Sequence, residues 1–284
     1  MSHEISRNLR LVAAVFTVAT GWLYAPVVLK LVRQWWLDPD YSHAFLVVPI
    51  AVVLVWRRRR ELANEPAVPS FAGLAVSAGA LLVLIVGTLG AELFLTRISV
   101  LLFAAGAVVF LLGWRHLRLL AFPLVLLLLT IPVPAIVISR LTLSLQLCAS
   151  SIAETLLAWV HIPVLREGNV LVLPNATLQV AEACSGIRSL TALVTLALLV
   201  ARFGEHRMWP RTVILLASIP IAVLVNGLRV AAAAVAARWY GTAAVEGAVH
   251  DLLGWLMFLV AFGLLAACAR AVGGDAARPQ WAHR

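Results

Sequence analysis

The chain has 284 residues, of which 63% are hydrophobic and only 12% are charged. A water-soluble globule of this length has no way to hide that much apolar surface, and a disordered chain is polar and charge-rich. The fold class that remains is all-α, a polytopic helical membrane protein, because apolar runs of about twenty residues recur along the chain.

The net charge of +9 points to positive charge held on the cytoplasmic side of a membrane. No basic patch interleaved with aromatics is present, so nucleic acid is not an expected partner; the lipid bilayer is. Three cysteines, Cys148, Cys184 and Cys268, make no disulfide framework and no zinc spacing. Neither a metal site nor a cofactor is expected.

In chain order, the first apolar stretch, residues 9–32, is too long for a signal-peptide core and reads as a retained span. The loop at 33–43 carries Trp35, Trp36, Asp38, Asp40 and Tyr41, with aromatic residues suited to a membrane–water interface. A shorter run at 41–56 ends at Arg57, Arg58, Arg59 and Arg60. Four arginines at a span end are the strongest topology signal in the chain and belong in the cytoplasm. Spans follow at 71–91, 93–113 and 117–138.

Residues 139–160 are long enough to cross but contain Arg140, Gln146, Ser150, Ser151 and Glu154. That mixture reads as an amphipathic helix lying at the interface or lining a wet groove. The alternation over 165–182, with Pro174-Asn175 at its middle, predicts a short periplasmic β-hairpin. Three last spans are expected at 184–203, 212–239 and 250–271. The expectation is eight spans, both termini cytoplasmic, and one integral-membrane domain over 1–284 with no fused soluble domain. The +9 excess then lies wholly on the cytoplasmic side, since the remaining basic residues equal the remaining acids in number.

Polar groups in a bilayer need a reason to be there. Three blocks stand out: 181–189, with Glu182, Cys184, Ser185 and Arg188; 219–229, with Asn226 and Arg229; and 246–254, with His250 and Asp251. The expected topology brings all three to the outer face. A cysteine opening a helix feels the positive end of the helix dipole, and a nearby cation lowers its pKa further. Its thiolate can attack an amide carbonyl, a histidine can carry the proton to the leaving amine, and an arginine can hold the oxyanion. Each residue also has a plainer reading. A cysteine is often a small buried hydrophobe, which fits Cys148 and Cys268. His250 suits an interface, Arg229 can snorkel outward, Glu182 and Asp251 can solvate loop ends, and Asn226-Gly227 can be a helix irregularity. His43 can simply cap a span.

Together these blocks resemble the exosortase/archaeosortase family of membrane-embedded sorting enzymes. The segment Asp40-Tyr41-Ser42-His43-Ala44-Phe45-Leu46 and the basic run after it resemble the family's amino-terminal signature, with Ala44 where glycine is common. Leu165-Arg166-Glu167-Gly168-Asn169 resembles its pre-catalytic loop. The block around Cys184, the stretch from Ile219 to Arg229, and His250-Asp251 with Gly254 are similar to its cysteine, arginine and histidine blocks.

The resemblance implies Cys184 as nucleophile, Arg229 as catalytic arginine and His250 as general acid or base. Glu182, Ser185, Arg188, Asn226 and His43 are candidates for substrate-binding or supporting roles. It also implies membrane-anchored protein substrates with a carboxy-terminal sorting tail: a Pro-Glu-Pro-type motif, a transmembrane helix and a basic end. Cleavage on the periplasmic face of a bacterial inner membrane and a link to exopolysaccharide clusters follow from the same resemblance. The competing class is a non-catalytic transport or export component of an exopolysaccharide system. Transport favours broken helices and charges at the bilayer midplane, whereas the candidate charges here gather near one face. A serine protease of rhomboid type lacks its Gly-x-Ser-x-Gly-like turn in this chain.

Overall fold

The computed structural model describes residues 2–180, 186–204, 207–241 and 247–273, and for 2–17 and 247–251 it describes the backbone. The chain forms two compact units, Met1–Pro134 and Ala135–Arg284.

The first unit holds α1 (Ser2–Leu37), a 3-10 turn (Pro39–Tyr41), α2 (Ala44–Arg57), α3 (Arg59–Asn64), α4 (Ala72–Leu89), α5 (Leu93–Leu111) and α6 (Trp114–Leu128). Helices α4 and α5 pair closely because small residues meet along the seam. A Cβ on Gly73 would strike the backbone at Phe110, one on Gly106 would strike Ser77, and one on Gly87 would strike Leu95 and Thr96. In lipid, where apolar side chains gain little by leaving the solvent, such close backbone approach is what holds helices together.

The two ends of this unit differ in charge. At one end Arg115 donates to Glu65 at 3.1 Å and Arg58 donates to the Leu119 carbonyl at 2.8 Å. At the other end Trp35 Nε1 donates to the Thr130 carbonyl at 2.8 Å, and the Asp38–His43 turn folds beside it.

The second unit holds α7 (Ala135–Trp159), strands β1 (Leu165–Glu167), β2 (Val170–Leu173) and β3 (Ala176–Gln179), then α8 (Ile187–Gly204), α9 (Met208–Tyr240) and α10 (Gly247–Gly273). Helix α9 is its axis. One side packs on α8 and α10 through Leu193, Ala197, Ile214, Val225, Ala261 and Leu265. The other side, alanine-rich from Ala231 to Ala237, lets α7 and the sheet come close, with Ala149, Ala153, Leu171 and Val180 buried against Val230 and Ala231.

Seven segments are long and apolar enough to cross a membrane among the described residues. They differ from the eight expected spans at α1, α6 and α7. The side chains of α1 are described only from Val18 onward. The expected span at 117–138 is divided: α6 stops at Leu128 and α7 begins at Ala135. The Ile131-Pro132-Val133-Pro134 stretch between them withholds two backbone donors and disfavours helix before each proline.

Residues 139–160 are correspondingly most of one 25-residue helix that qualifies as a span by length and composition. Its polar residues, which suggest an interfacial helix, have protein partners instead. Gln146, Ser150 and Glu154 recur every four residues and form one stripe. Gln146 accepts from Asn169 at 3.2 Å, Ser150 donates to the Gly168 carbonyl at 2.9 Å, and Glu154 accepts from Arg166 Nε at 2.7 Å. Leu141, Leu143 and Leu147 of α7 are exposed and apolar, while Ala149, Ala153 and Leu157 are buried.

The expected hairpin is a three-stranded antiparallel sheet in the order β1-β2-β3. Gly168-Asn169 makes a first two-residue turn, with Gly168 at φ +66°, before the Pro174-Asn175 turn. Cys148 also differs from expectation, being exposed on α7 rather than buried.

Candidate active site

The site is best built from α9, the axis of the second unit. Asn226 and Arg229 lie three residues apart, hence on neighbouring positions of one helix face. Asn226 is only 5% exposed. Gly227 between them is no irregularity: α9 continues through it, and its bare Cα lets Ile152 of α7 approach, where a Cβ would stand 2.5 Å from Ile152 Cγ2.

Against Asn226 sits Gly186, at the start of α8. Its carbonyl accepts the first helical bond from the Leu190 N–H at 2.8 Å. Its φ is +79°, a region L-residues seldom adopt, and a Cβ there would stand 2.8 Å from the Asn226 amide. Two constraints therefore demand glycine two residues after Cys184 in the chain.

Across the same face, the Arg229 guanidinium lies against Gly254 of α10, with Nη2 3.3 Å from the place a Cβ would take. Position 250 precedes Gly254 by four residues on α10, so the two positions share a helix face. A small cleft between α8, α9 and α10 is lined by Ser189, Val225, Asn226, Arg229, Met257 and Phe258. Its polar side chains come from α8 and α9 and its apolar ones from α9 and α10.

Among the expected site residues, the structure thus brings Asn226 and Arg229 to one cleft. Cys184, Glu182 and Ser185 lie outside the described residues, as does the His250 side chain. Arg188 is exposed at the start of α8. His43 belongs to the first unit, where its Nδ1 is 3.1 Å from the Asp40 carbonyl and its Nε2 3.4 Å from the Leu129 carbonyl. It sits at the N-cap position of α2, where its side chain makes no cap bond. Among the described residues no group of three or more His, Cys, Asp or Glu stands together as a metal site.

Ser189 lines the cleft in the first turn of α8, and Gly186, just before that helix, lies against Asn226; both fall in the 181–189 block singled out in the sequence, and the Asn226 contact is visible only in three dimensions.

Long apolar helices define a multi-pass membrane protein, with a small cleft among the last three helices of the second unit. The family model of the transmembrane exosortases (Exosortase_EpsH) matches residues 35–267. With most of its length matched, the chain belongs to the transmembrane exosortase family, whose members are membrane sorting enzymes. No curated protein and no solved structure matches it.

Proposed function

We propose that the chain is a membrane-embedded cysteine protease or transpeptidase that cleaves the carboxy-terminal sorting tail of exported, membrane-anchored proteins. The observation that supports this reading most is the pair of glycine contacts in the second unit. Gly186, two residues from Cys184 in sequence, rests on Asn226, and Gly254, four residues from His250, rests on Arg229. The three sequence blocks of the proposed triad are thus tied to one another by described neighbours of each.

In this mechanism the Cys184 thiolate attacks the scissile carbonyl carbon, and Arg229 stabilises the oxyanion that forms. The C–N bond breaks as His250 delivers a proton to the leaving amine, leaving a thioester on Cys184. An acceptor amine or water then attacks the thioester, loses its proton to His250 and releases the Cys184 thiolate. Hydrolysis or transpeptidation follows from which nucleophile arrives.

The proposed orientation places Arg57–Arg60 in the cytoplasm and the Arg229 cleft toward the periplasm of a bacterial inner membrane. Within the second unit the charge pattern supports it: Arg202, Arg207, Arg211 and Arg270 flank one end of the α8–α10 bundle, and the cleft lies toward the other. The deciding experiment is co-expression with a tail-bearing substrate, with and without Cys184→Ala, and mass spectrometry of the substrate's new carboxy terminus. A defined new terminus that depends on Cys184 is the expected result; an unprocessed substrate with the intact enzyme overturns the reading.

A further inference from the structure

The sheet of the second unit has one edge that the proposed chemistry does not use. In its register Asn169 stands opposite Val180, and the Val180 N–H donates to the Asn169 carbonyl at 2.9 Å. Opposite residues of an antiparallel pair exchange hydrogen bonds only at every second position. Leu171 with Leu178 and Leu173 with Ala176 are therefore the bonded pairs of β2 and β3, as the two-residue Pro174-Asn175 turn also requires. Thr177 and Gln179 alternate with these residues along β3, so their N–H and C=O groups point away from β2.

Strand β3 is the last of the sheet, and no further strand meets those groups. Among the described residues no other backbone hydrogen bond reaches them. Thr177 and Gln179 are exposed, while Leu178 and Val180 pack inward with residues of α7 and α9. The opposite edge is different. It offers only Arg166, and that side of the sheet is tied to α7 by the Arg166–Glu154 pair and by Ser150 on the Gly168 carbonyl.

An open strand edge is a template for another strand, and chains protect such edges with a lysine, a proline or a bulge. Strand β3, Ala-Thr-Leu-Gln, carries neither lysine nor proline, and its register is unbroken. Cys184 follows Gln179 by five residues, a length of chain that spans at most about 18 Å. A segment laid along β3 is thus within one short stretch of the proposed nucleophile. Extended peptides bind other proteins by adding a strand in this way, with main-chain hydrogen bonds supplying the affinity.

We propose that the free edge of β3 is a docking strand for an extended peptide segment, held through its main chain by the N–H and C=O groups of Thr177 and Gln179. The segment belongs to the protein being processed, so the inference rests on the sorting-enzyme reading for the kind of partner. The recognition itself is of backbone, whichever side chains the segment carries.

The test is equilibrium binding to the full-length protein in lipid nanodiscs. The probe is a fluorescent peptide of four Thr-Val repeats. Its control is the same peptide N-methylated at the four central residues, which keeps every side chain and removes donors from both peptide edges. The intact protein is expected to bind the unmodified peptide about ten-fold more tightly, since two or more hydrogen bonds are lost with the methyl groups. Gln179→Pro removes one outward N–H and no ladder bond, and should shrink that preference to within three-fold. Thr177→Val changes a side chain, keeps the main chain and should leave the preference intact. Thermal melting identifies the folded variants, and Thr177→Pro repeats the test at the other outward position.

The proposal is overturned if the intact protein does not distinguish the two peptides, if a folded proline variant distinguishes them fully, or if Thr177→Val abolishes the difference. Efficient disulfide joining of two Gln179→Cys copies in detergent would also overturn it, by assigning the edge to a second copy of the chain. Backbone-selective binding by a protein that cleaves nothing removes the protease reading and leaves β3 as a peptide-docking strand. Cleavage of tails with no backbone preference in binding does the reverse.

Discussion

The Arg229 guanidinium lies against Gly254, with Nη2, Cζ and Nη1 at 3.3, 3.5 and 3.9 Å from the position of an added Cβ. A methyl group there is tight but tolerable, because the guanidinium is the far end of a flexible side chain. Gly254→Ala is therefore expected to displace Arg229 by a few tenths of an ångström and to leave stability within about 1 kcal/mol, since nothing rigid is struck. Gly254→Leu should expel the guanidinium from α10 altogether. Substrate processing should fall several-fold in the first variant and beyond detection in the second, at similar protein levels. Equal activity in all three proteins would show that Arg229 is not held there for catalysis.

Gly186→Ala meets two obstacles that can be separated. The positive φ costs an L-residue about 1–2 kcal/mol, and overpacking against the Asn226 amide adds about 1–3 kcal/mol. Adding Asn226→Ala opens space for the new methyl but leaves the backbone strain in place. The double variant should recover part of the lost melting temperature and none of the activity, if Asn226 also serves the cleft. Additive effects of the two substitutions on stability would contradict the contact.

Gly227 makes a comparable test of how α7 is seated. A Cβ there would stand 2.5 Å from Ile152 Cγ2 and 2.6 Å from Ile152 Cβ, on a β-branched side chain with little freedom to move. Gly227→Ala is expected to destabilise by about 1–3 kcal/mol. Trimming the partner, Ile152→Ala, should rescue it, because small residues set how closely membrane helices approach. Denaturation in mild detergent reads both effects.

These contacts mark what the sequence revealed and what it hid. Spans α4, α5, α8, α9 and α10 were legible because each is a long, predominantly apolar run, even where α5 carries Arg97 and α9 carries Asn226 and Arg229. The break between α6 and α7 was hidden, because Ile131-Pro132-Val133-Pro134 is as apolar as the helices beside it. Hydropathy sees no boundary there, while the missing proline donors do. The partners of α7's polar residues were hidden for a related reason. Periodicity shows that Gln146, Ser150 and Glu154 share a face, but only the folded chain shows that the β1–β2 turn covers it. Arg229 was conspicuous as a charge late in a span, whereas Arg97, near a span start, passed as ordinary. Its burial, at 4% exposed, shows only in the folded chain.

Orientation is open to direct measurement. In a cysteine-free background, an impermeant maleimide added to intact cells should label Gly247→Cys and spare Arg60→Cys, and permeabilised cells should show the reverse difference lost. The reason is the partition of arginine to the cytoplasmic side. Labelling of Arg60→Cys from outside would invert the proposed topology.

The last expectation concerns the three proposed catalytic groups. Cys184→Ala should abolish processing, while Cys148→Ala and Cys268→Ala should retain most of it. Cys148 is exposed among the apolar side chains of α7, and Cys268 is half-buried near the far end of α10 from Gly254, so neither adjoins the Arg229 cleft. A permanent cation in a span costs about 2.5–3.5 kcal/mol on insertion scales, which favours a polar cleft over lipid for Arg229. If the guanidinium grips an oxyanion through its planar fork, Arg229→Lys keeps the charge, loses the geometry and should be poorly active. His250→Ala should lose roughly two or more orders of magnitude in rate, the usual cost of removing a general acid–base partner. Both proteins should still insert and accumulate, because the damage is to chemistry and not to packing. Single-turnover thioester trapping distinguishes the roles: without His250 the leaving amine lacks its proton, so the thioester should form slowly, whereas its later capture by added hydroxylamine should be little changed. Near-intact processing by Arg229→Ala, or a thioester that forms at the normal rate without His250, would leave Cys184 without its proposed partners.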